Sequence, residues 1–249
     1  MQLFSARLSV LNRPLGWLIL IIVYEAYSDF NLIEIISSIF LAIASLWLVG
    51  YLSTDIFHAC NHLFEWVGKK WHMPHHSCFR SDASIRNVKT FKHSRWSHDF
   101  SETSLMLLST SIFTFSLWYL NIGGWYGSFY GCIHALVGIY NAVRIGCGDL
   151  EHFRKTDPGH QPQLYTQPPS EWLVNASAHW RHHVCDINAY FGGKTTLVDK
   201  ILGTANSLNG CHIDYSFEGK DELNLTLLLH SLEQEGIKIN LNKSIQEDN

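Results

Sequence analysis

Fifteen histidines occur in 249 residues, and eight of them fall into three tight clusters. The clusters are His58-Ala-Cys-Asn-His62, His72-Met-Pro-His75-His76 and His179-Trp-Arg-His182-His183, with the patterns H-x3-H, H-x2-HH and H-x2-HH. In a helix, residues three and four apart share a face, so each cluster aims two or three imidazoles at one point. Imidazole is the commonest metal ligand, and nitrogen-rich spheres suit iron, zinc or copper. Eight candidate ligands are too many for one tetrahedral zinc. Two metal ions sharing the set is the economical reading. A fold that brings these clusters together is therefore the first constraint on the chain.

The surrounding composition points to a membrane. Only 16% of residues are charged and 47% are hydrophobic, against about 25% charged in an average soluble domain. The charge deficit is concentrated before residue 146. Apolar stretches cover residues 15–27, 31–52, 104–122 and 125–146. A bilayer core needs about 20 helical residues; the second stretch is long enough, while the first is short and carries Glu25. Asn121, Gly123 and Gly124 mark a tight turn between the last two stretches. The expected architecture is all-α and integral to the membrane. About four transmembrane helices, arranged as two hairpins, lie under a helical cap that carries the histidine clusters. Lys69, Lys70, Arg80, Arg86, Lys89, Lys92 and Arg95 flank the cap, as do Arg7, Arg13, Arg144, Arg154 and Lys155. Residues 28–31 and 121–124 contain no Lys or Arg. The positive-inside rule places both termini and all three clusters on the cytoplasmic side of a multi-pass protein.

Residues 1–218 read as one membrane-embedded domain and 219–249 as an accessory tail. From Val49 onward nothing forces a helix end before Gly68, so the second span is expected to run through the first cluster. Pro74 either kinks a helix in the second cluster or occupies its first turn. The six cysteines show no C-x-x-C pairing; Cys60, Cys78 and Cys185, near the clusters, read as small packing residues. Trp66, Trp71, Trp96, Trp172 and Trp180 suit a membrane interface. The net charge of −4 gives no sign of nucleic-acid binding. Ligating imidazoles need their second ring nitrogen held. Asp55, Glu65, Asp149, Glu151, Asp186 and Asp199 are the candidate acids, with Asp149 and Asp186 favoured. His93, His98, His160, His212 and His230 have no partner at ligand spacing and are expected at the surface or in loops.

The order and spacing of the three clusters resemble the fatty acid hydroxylase / sterol desaturase superfamily of integral-membrane di-iron enzymes. Nine residues separate His62 from His72, and about a hundred separate His76 from His179. Asn188-Ala-Tyr190-Phe-Gly192 and Asp199-Lys-Ile-Leu-Gly203-Thr204 look like the family's elements after its third histidine box. The resemblance covers roughly residues 31–205. Ala59, where the family often has Arg, and Pro74 inside the second box are departures. The resemblance implies two iron ions (Fe2+/Fe3+), or zinc where iron is lost during purification. It implies His58, His62, His72, His75, His76, His179, His182 and His183 as ligands, with a further ligand before the third box: His152, or alternatively His134. It implies hydroxylation of an apolar lipid-like substrate (fatty acyl, sterol or carotenoid) with O2. Because no flavin or G-x-G-x-x-G dinucleotide motif is present, electrons would come from a separate protein such as a ferredoxin or a cytochrome. Desaturation within the same superfamily is the nearest alternative. A non-catalytic metal- or haem-binding membrane protein is another, although haem uses only one or two axial histidines. A metal transporter would want more ionisable groups within the spans than Glu25, Glu34 and His134.

Overall fold

The structure, a computed structural model, describes residues 32–79, 85–157, 172–174, 179, 182–183, 187 and 189–204. Outside them lie the apolar stretch 15–27 with Glu25, the loop 28–31, Arg7, Arg13, Arg80, His160, Trp180, Cys185, Asp186, Asn188, Cys211, His212, His230 and the tail 219–249. Among the described residues the chain is all-α. No strand forms, and only two isolated bridges occur, Phe79 with Ile85 and Leu173 with Thr195.

Helix α1 covers Leu32–Leu63 and contains a wider π-helical stretch, Ala44–Tyr51. It is long and apolar enough to cross a membrane by length and composition, with a mean hydropathy of 2.3 over its best window. It ends one residue later, at Phe64, whose backbone is extended (φ −111°, ψ 97°). Helix α2, Glu65–Trp71, follows at once. The expected continuous helix to Gly68 is thus replaced by a one-residue elbow. The reason lies at Gly68: a Cβ there would fall 2.0 Å from the Asn61 carbonyl oxygen, so α2 packs backbone to backbone on the last turn of α1.

Helix α3 is the single turn Met73–Ser77, with Pro74 in its first turn, where a missing N–H costs nothing. Helix α4, Val88–Ser94, is capped by the Asn87 side chain, which accepts from Thr90 N at 3.0 Å. A π-helical turn, Arg95–Asp99, leads into α5, Phe100–Tyr119. The expected tight turn is present: Asn121 and Gly124 take left-handed backbone conformations (φ 51° and 75°). Trp125–Ser128 form a 3-10 turn, and α6 runs Phe129–Gly146. Helices α7 (Leu150–Thr156) and α8 (Leu197–Leu202) complete the set.

Only α1, among the described residues, passes as a candidate membrane helix; four spans are not shown. Helix α5 is rich in hydroxyls that lower its hydropathy. Those of Thr103, Ser109, Thr110 and Ser116 donate to backbone carbonyls three or four residues back, which satisfies them inside the helix.

The contacts divide the chain into two units, residues 1–50 with 106–136, and residues 51–105 with 137–249. In the first, Ala42, Leu46, Met106, Cys132 and Ala135 are buried. The Ser45 hydroxyl donates to the Ser128 carbonyl at 2.7 Å, and Ser128 Oγ donates to Thr114 Oγ1 at 2.9 Å. In the second unit, Cys78, Phe79, Phe91, Ile145 and Phe153 form an apolar cluster. Arg95 sits against three of its rings, 4.7 Å from Phe91, 5.0 Å from Phe153 and 5.7 Å from Phe79. All three histidine clusters belong to this second unit.

Candidate metal centre

The elbow at Phe64 decides the geometry. Without it, α2 would carry His72 away along the axis of α1. With it, His58 and His62 on α1 meet His72 at ring-centroid distances of 4.3 and 4.4 Å. The third cluster arrives from far along the chain: His182 lies 5.2 Å from His58 and 4.5 Å from His62 between ring centres.

Two nitrogen clusters result. One ligand atom from each of His58, His62, His72 and His182 falls within 4.8 Å of the others, and the same holds for His75, His179 and His183. His58 Nε2 faces His182 Nε2 at 3.4 Å. His183 Nε2 stands 3.0 Å from His75 Nε2 and 3.1 Å from His179 Nε2. His76 lies between the groups, its Nε2 2.7 Å from His72 Nε2 and its ring 4.3 Å from that of His183. All eight box histidines are therefore brought together.

The donor set fits metal ions on three counts. Two nitrogens bound to one metal at about 2.0–2.1 Å stand about 3.0–3.4 Å apart, the range of most of these separations. The buried His62 Nε2 has no hydrogen-bond partner, which is costly unless something else occupies it. Burial also holds His72 and His76 well below the ordinary imidazole range, so both rings are neutral and able to ligate. Around them, Phe191 stacks on His62 at 4.9 Å, and Phe79 meets His75 and His183 edge-on at 5.6 and 5.7 Å. These rings screen the nitrogens from water.

A loop after the third cluster holds His182 in place. His182 Nδ1 lies 2.7 Å from the Ala189 carbonyl, which accepts. Two buried carboxylates fix that loop. Asp199 accepts from Phe191 N at 2.5 Å, Gly192 N at 2.9 Å and Thr204 Oγ1 at 2.7 Å. Asp55 accepts from the amides of Gly193, Lys194 and Thr195 at 2.7–2.9 Å and from the Thr195 hydroxyl. The post-box elements recognised in the sequence thus form one carboxylate-clamped turn.

Other expectations fare differently. The structure does not bring His152 into either nitrogen cluster. Its Nε2 lies 2.8 Å from Asn141 Oδ1 and its ring 5.9 Å from that of Tyr140. His134 belongs to the other unit. Asp149 caps α7, accepting from His152 N at 2.9 Å, and pairs with Arg144. Glu65 and Glu151 pair with Lys69 and Lys155 on the surface, and Asp186 lies outside the described residues. Cys78 is a packing residue as expected; its thiol donates to the His75 carbonyl at 3.0 Å and burial pushes it up to about 11. His93 is exposed. His98 is a correction: it is buried, not at the surface, with Nδ1 3.1 Å from His72 Nδ1. Glu102, buried beside it, was not among the candidate acids. Their i, i+4 spacing puts both on one helical face but does not say what that face meets.

No family profile matches the chain, and no solved structure does. The chain is 36% identical over 207 residues to a protein from Synechocystis sp. (strain ATCC 27184 / PCC 6803 / Kazusa) named monoglucosyldiacylglycerol epimerase. The match covers 80% of this chain and 48% of the relative, so the chain spans about half of that protein's length.

Proposed function

We propose that the chain is a membrane-embedded di-iron enzyme that oxidises a C–H bond of a lipid with O2, hydroxylation being the reaction. The observation that carries the reading is the convergence of eight imidazoles on two adjacent nitrogen clusters. Box order and spacing support iron as the metal by resemblance. Iron held there would supply the O2 chemistry: one oxygen atom enters the C–H bond, and the other leaves as water with two protons and two electrons from a separate ferredoxin or cytochrome. The protein's part is to hold neutral imidazoles in place and exclude water. The Ala189 carbonyl orients His182, and Phe79 and Phe191 close the flanks. A lipid substrate is supported by α1, whose Ile33, Phe40 and Leu48 side chains are exposed, a surface suited to acyl chains.

The name of the Synechocystis relative favours a second reading, inversion of a carbon in the sugar headgroup of a glycolipid. There a C–H bond is broken on one face and remade on the other, with no net gain of oxygen. One experiment separates the readings. Cells with and without the gene are grown under 18O2, and their lipids are analysed by mass spectrometry and headgroup composition. A product carrying 18O supports hydroxylation. A product lighter by two hydrogens and unlabelled means desaturation. A changed sugar at unchanged mass means epimerisation. Purified protein should hold close to two irons and show no Soret band; a strong Soret band would mean haem and remove the proposal.

A further inference from the structure

A ligating imidazole uses one nitrogen on the metal and must have its other nitrogen held. At His182 the Ala189 carbonyl does this. At His58 and His72 the corresponding nitrogens turn toward the first turn of α5 and the Arg95–Asp99 turn that leads into it. Glu102 stands there, 8% exposed. Its Oε1 lies 3.1 Å from His58 Nδ1 and 3.4 Å from His98 Nε2, at ion-pair distance without the alignment of a hydrogen bond. His98, one helical turn before it, places Nδ1 3.1 Å from His72 Nδ1.

The protons on this path follow from ligation. His58 faces His182 through Nε2, and His72 faces His76 through Nε2, so in both rings the nitrogen free to carry a proton is Nδ1. The His58 Nδ1–H is then on the side of Glu102, at ion-pair distance from its Oε1. The His72 Nδ1–H needs an acceptor, and His98 accepts only if its own Nδ1 is bare. That puts the His98 proton on Nε2, the nitrogen facing Glu102. The path from His58 and the path from His72 through His98 thus both lead to one carboxylate oxygen, that of Glu102. With His58 and His72 both ligating through Nε2, this placement gives the His72 Nδ1 proton an acceptor.

We propose that Glu102, with His98 as its relay, is the positioning carboxylate of the metal centre. It fixes the tautomer and ring orientation of two ligands in the cluster of His58, His62, His72 and His182. Glu102 is not a ligand in this arrangement, because it stands on the Nδ1 side of His58, away from the converging Nε2 atoms. The inference rests on the metal centre proposed above.

The test uses the full chain purified in detergent and loaded with Co2+, whose visible absorption reports ligand geometry. Chelator competition gives the number of ions and the affinity of each. The wild type should bind two. Glu102→Gln should still bind two at saturation, with one ion held roughly 10–100-fold more weakly and its cobalt band shifted. Glu102→Asp should recover part of both changes. His98→Ala should weaken the same ion, and the double variant should be no weaker than Glu102→Gln alone, since both residues act on one path. If Glu102→Gln does not fold, His98→Ala carries the same measurement. Variants that match the wild type in affinity and spectrum would overturn the inference while leaving the metal centre standing. Outright loss of one ion at saturation would overturn it in favour of direct ligation by Glu102. A folded wild type that binds no metal would remove the centre and the inference together.

Discussion

At the scale of single residues, the site is a concentration of neutral imidazoles in a dry interior, and that has a pH signature. Burial holds His72 and His76 well below their ordinary value of 6.5. In the unfolded chain both return to it, so as the pH falls through 6.5 the unfolded state takes up protons that the folded state refuses. Stability present above that pH is therefore lost on acidification, by about 1.4 kcal/mol per pH unit for each ring. The metal-free protein should melt at progressively lower temperature between pH 7.5 and 5.5; a flat or rising profile would contradict the burial of these rings. Arg95 makes a second test. It is buried, its Nη1 pairs with Asp99 and lies 2.9 Å from Asp157 Oδ2, and three phenylalanine rings surround it. Arg95→Met should cost about 3–5 kcal/mol, read as a lower melting temperature, because it strands two carboxylates. The box histidines were legible because ligand spacing is local: three or four residues along a helix give a shared face. His98 and Glu102 were not. Their meaning comes from facing His72 and His58, which are 26 and 44 positions away in the chain, and no local pattern carries that.

At the scale of elements, long apolar stretches located α1, α5 and α6, and Asn121, Gly123 and Gly124 located the turn, but nothing in them marked the elbow at Phe64. Neither Gly nor Pro stands at that position. The break is imposed from outside, by the seat that Gly68 finds on the Asn61 carbonyl. Tertiary packing overrides a segment that by itself would continue as helix. Gly68→Ala tests this directly. Its methyl would lie 2.0 Å from a backbone oxygen that cannot swing aside, so α2 must lift away and carry His72 with it. We expect a loss of about 1–3 kcal/mol, together with weaker metal binding at the cluster containing His72 and little change at His75, His179 and His183. Equal weakening at both would mean that the elbow holds the whole centre rather than one half. The Pro74 ambiguity resolves in the same physical terms: a turn of five residues has no interior, so the proline occupies its start.

At the scale of the whole molecule, length and hydropathy single out α1 alone among the described residues, whereas the sequence reading expected four spans. Residues 15–27 lie outside the described residues, and α5 carries hydroxyls that look polar to any hydropathy measure yet spend their hydrogen bonds on their own helix. In a cysteine-free background, a cysteine at position 121 should react with an impermeant thiol reagent in intact cells, while one at position 77 should react only after permeabilisation. The reverse pattern would place the histidine boxes outside.

The partnership of His58 with His182 spans 124 positions, and this has a consequence for how the protein is made. During synthesis the first two boxes emerge about a hundred residues ahead of the third. For that interval the five imidazoles of the first two boxes stand without the three of the third, and the proposed centre would be a half-site. Such a half-site ranks divalent metals by intrinsic affinity, copper above zinc and iron. Only the late return of the loop clamped by Asp55 and Asp199 closes it. For the metal centre proposed above, the ion taken up would thus depend partly on timing, on what the nascent chain meets before its own C-terminal part arrives.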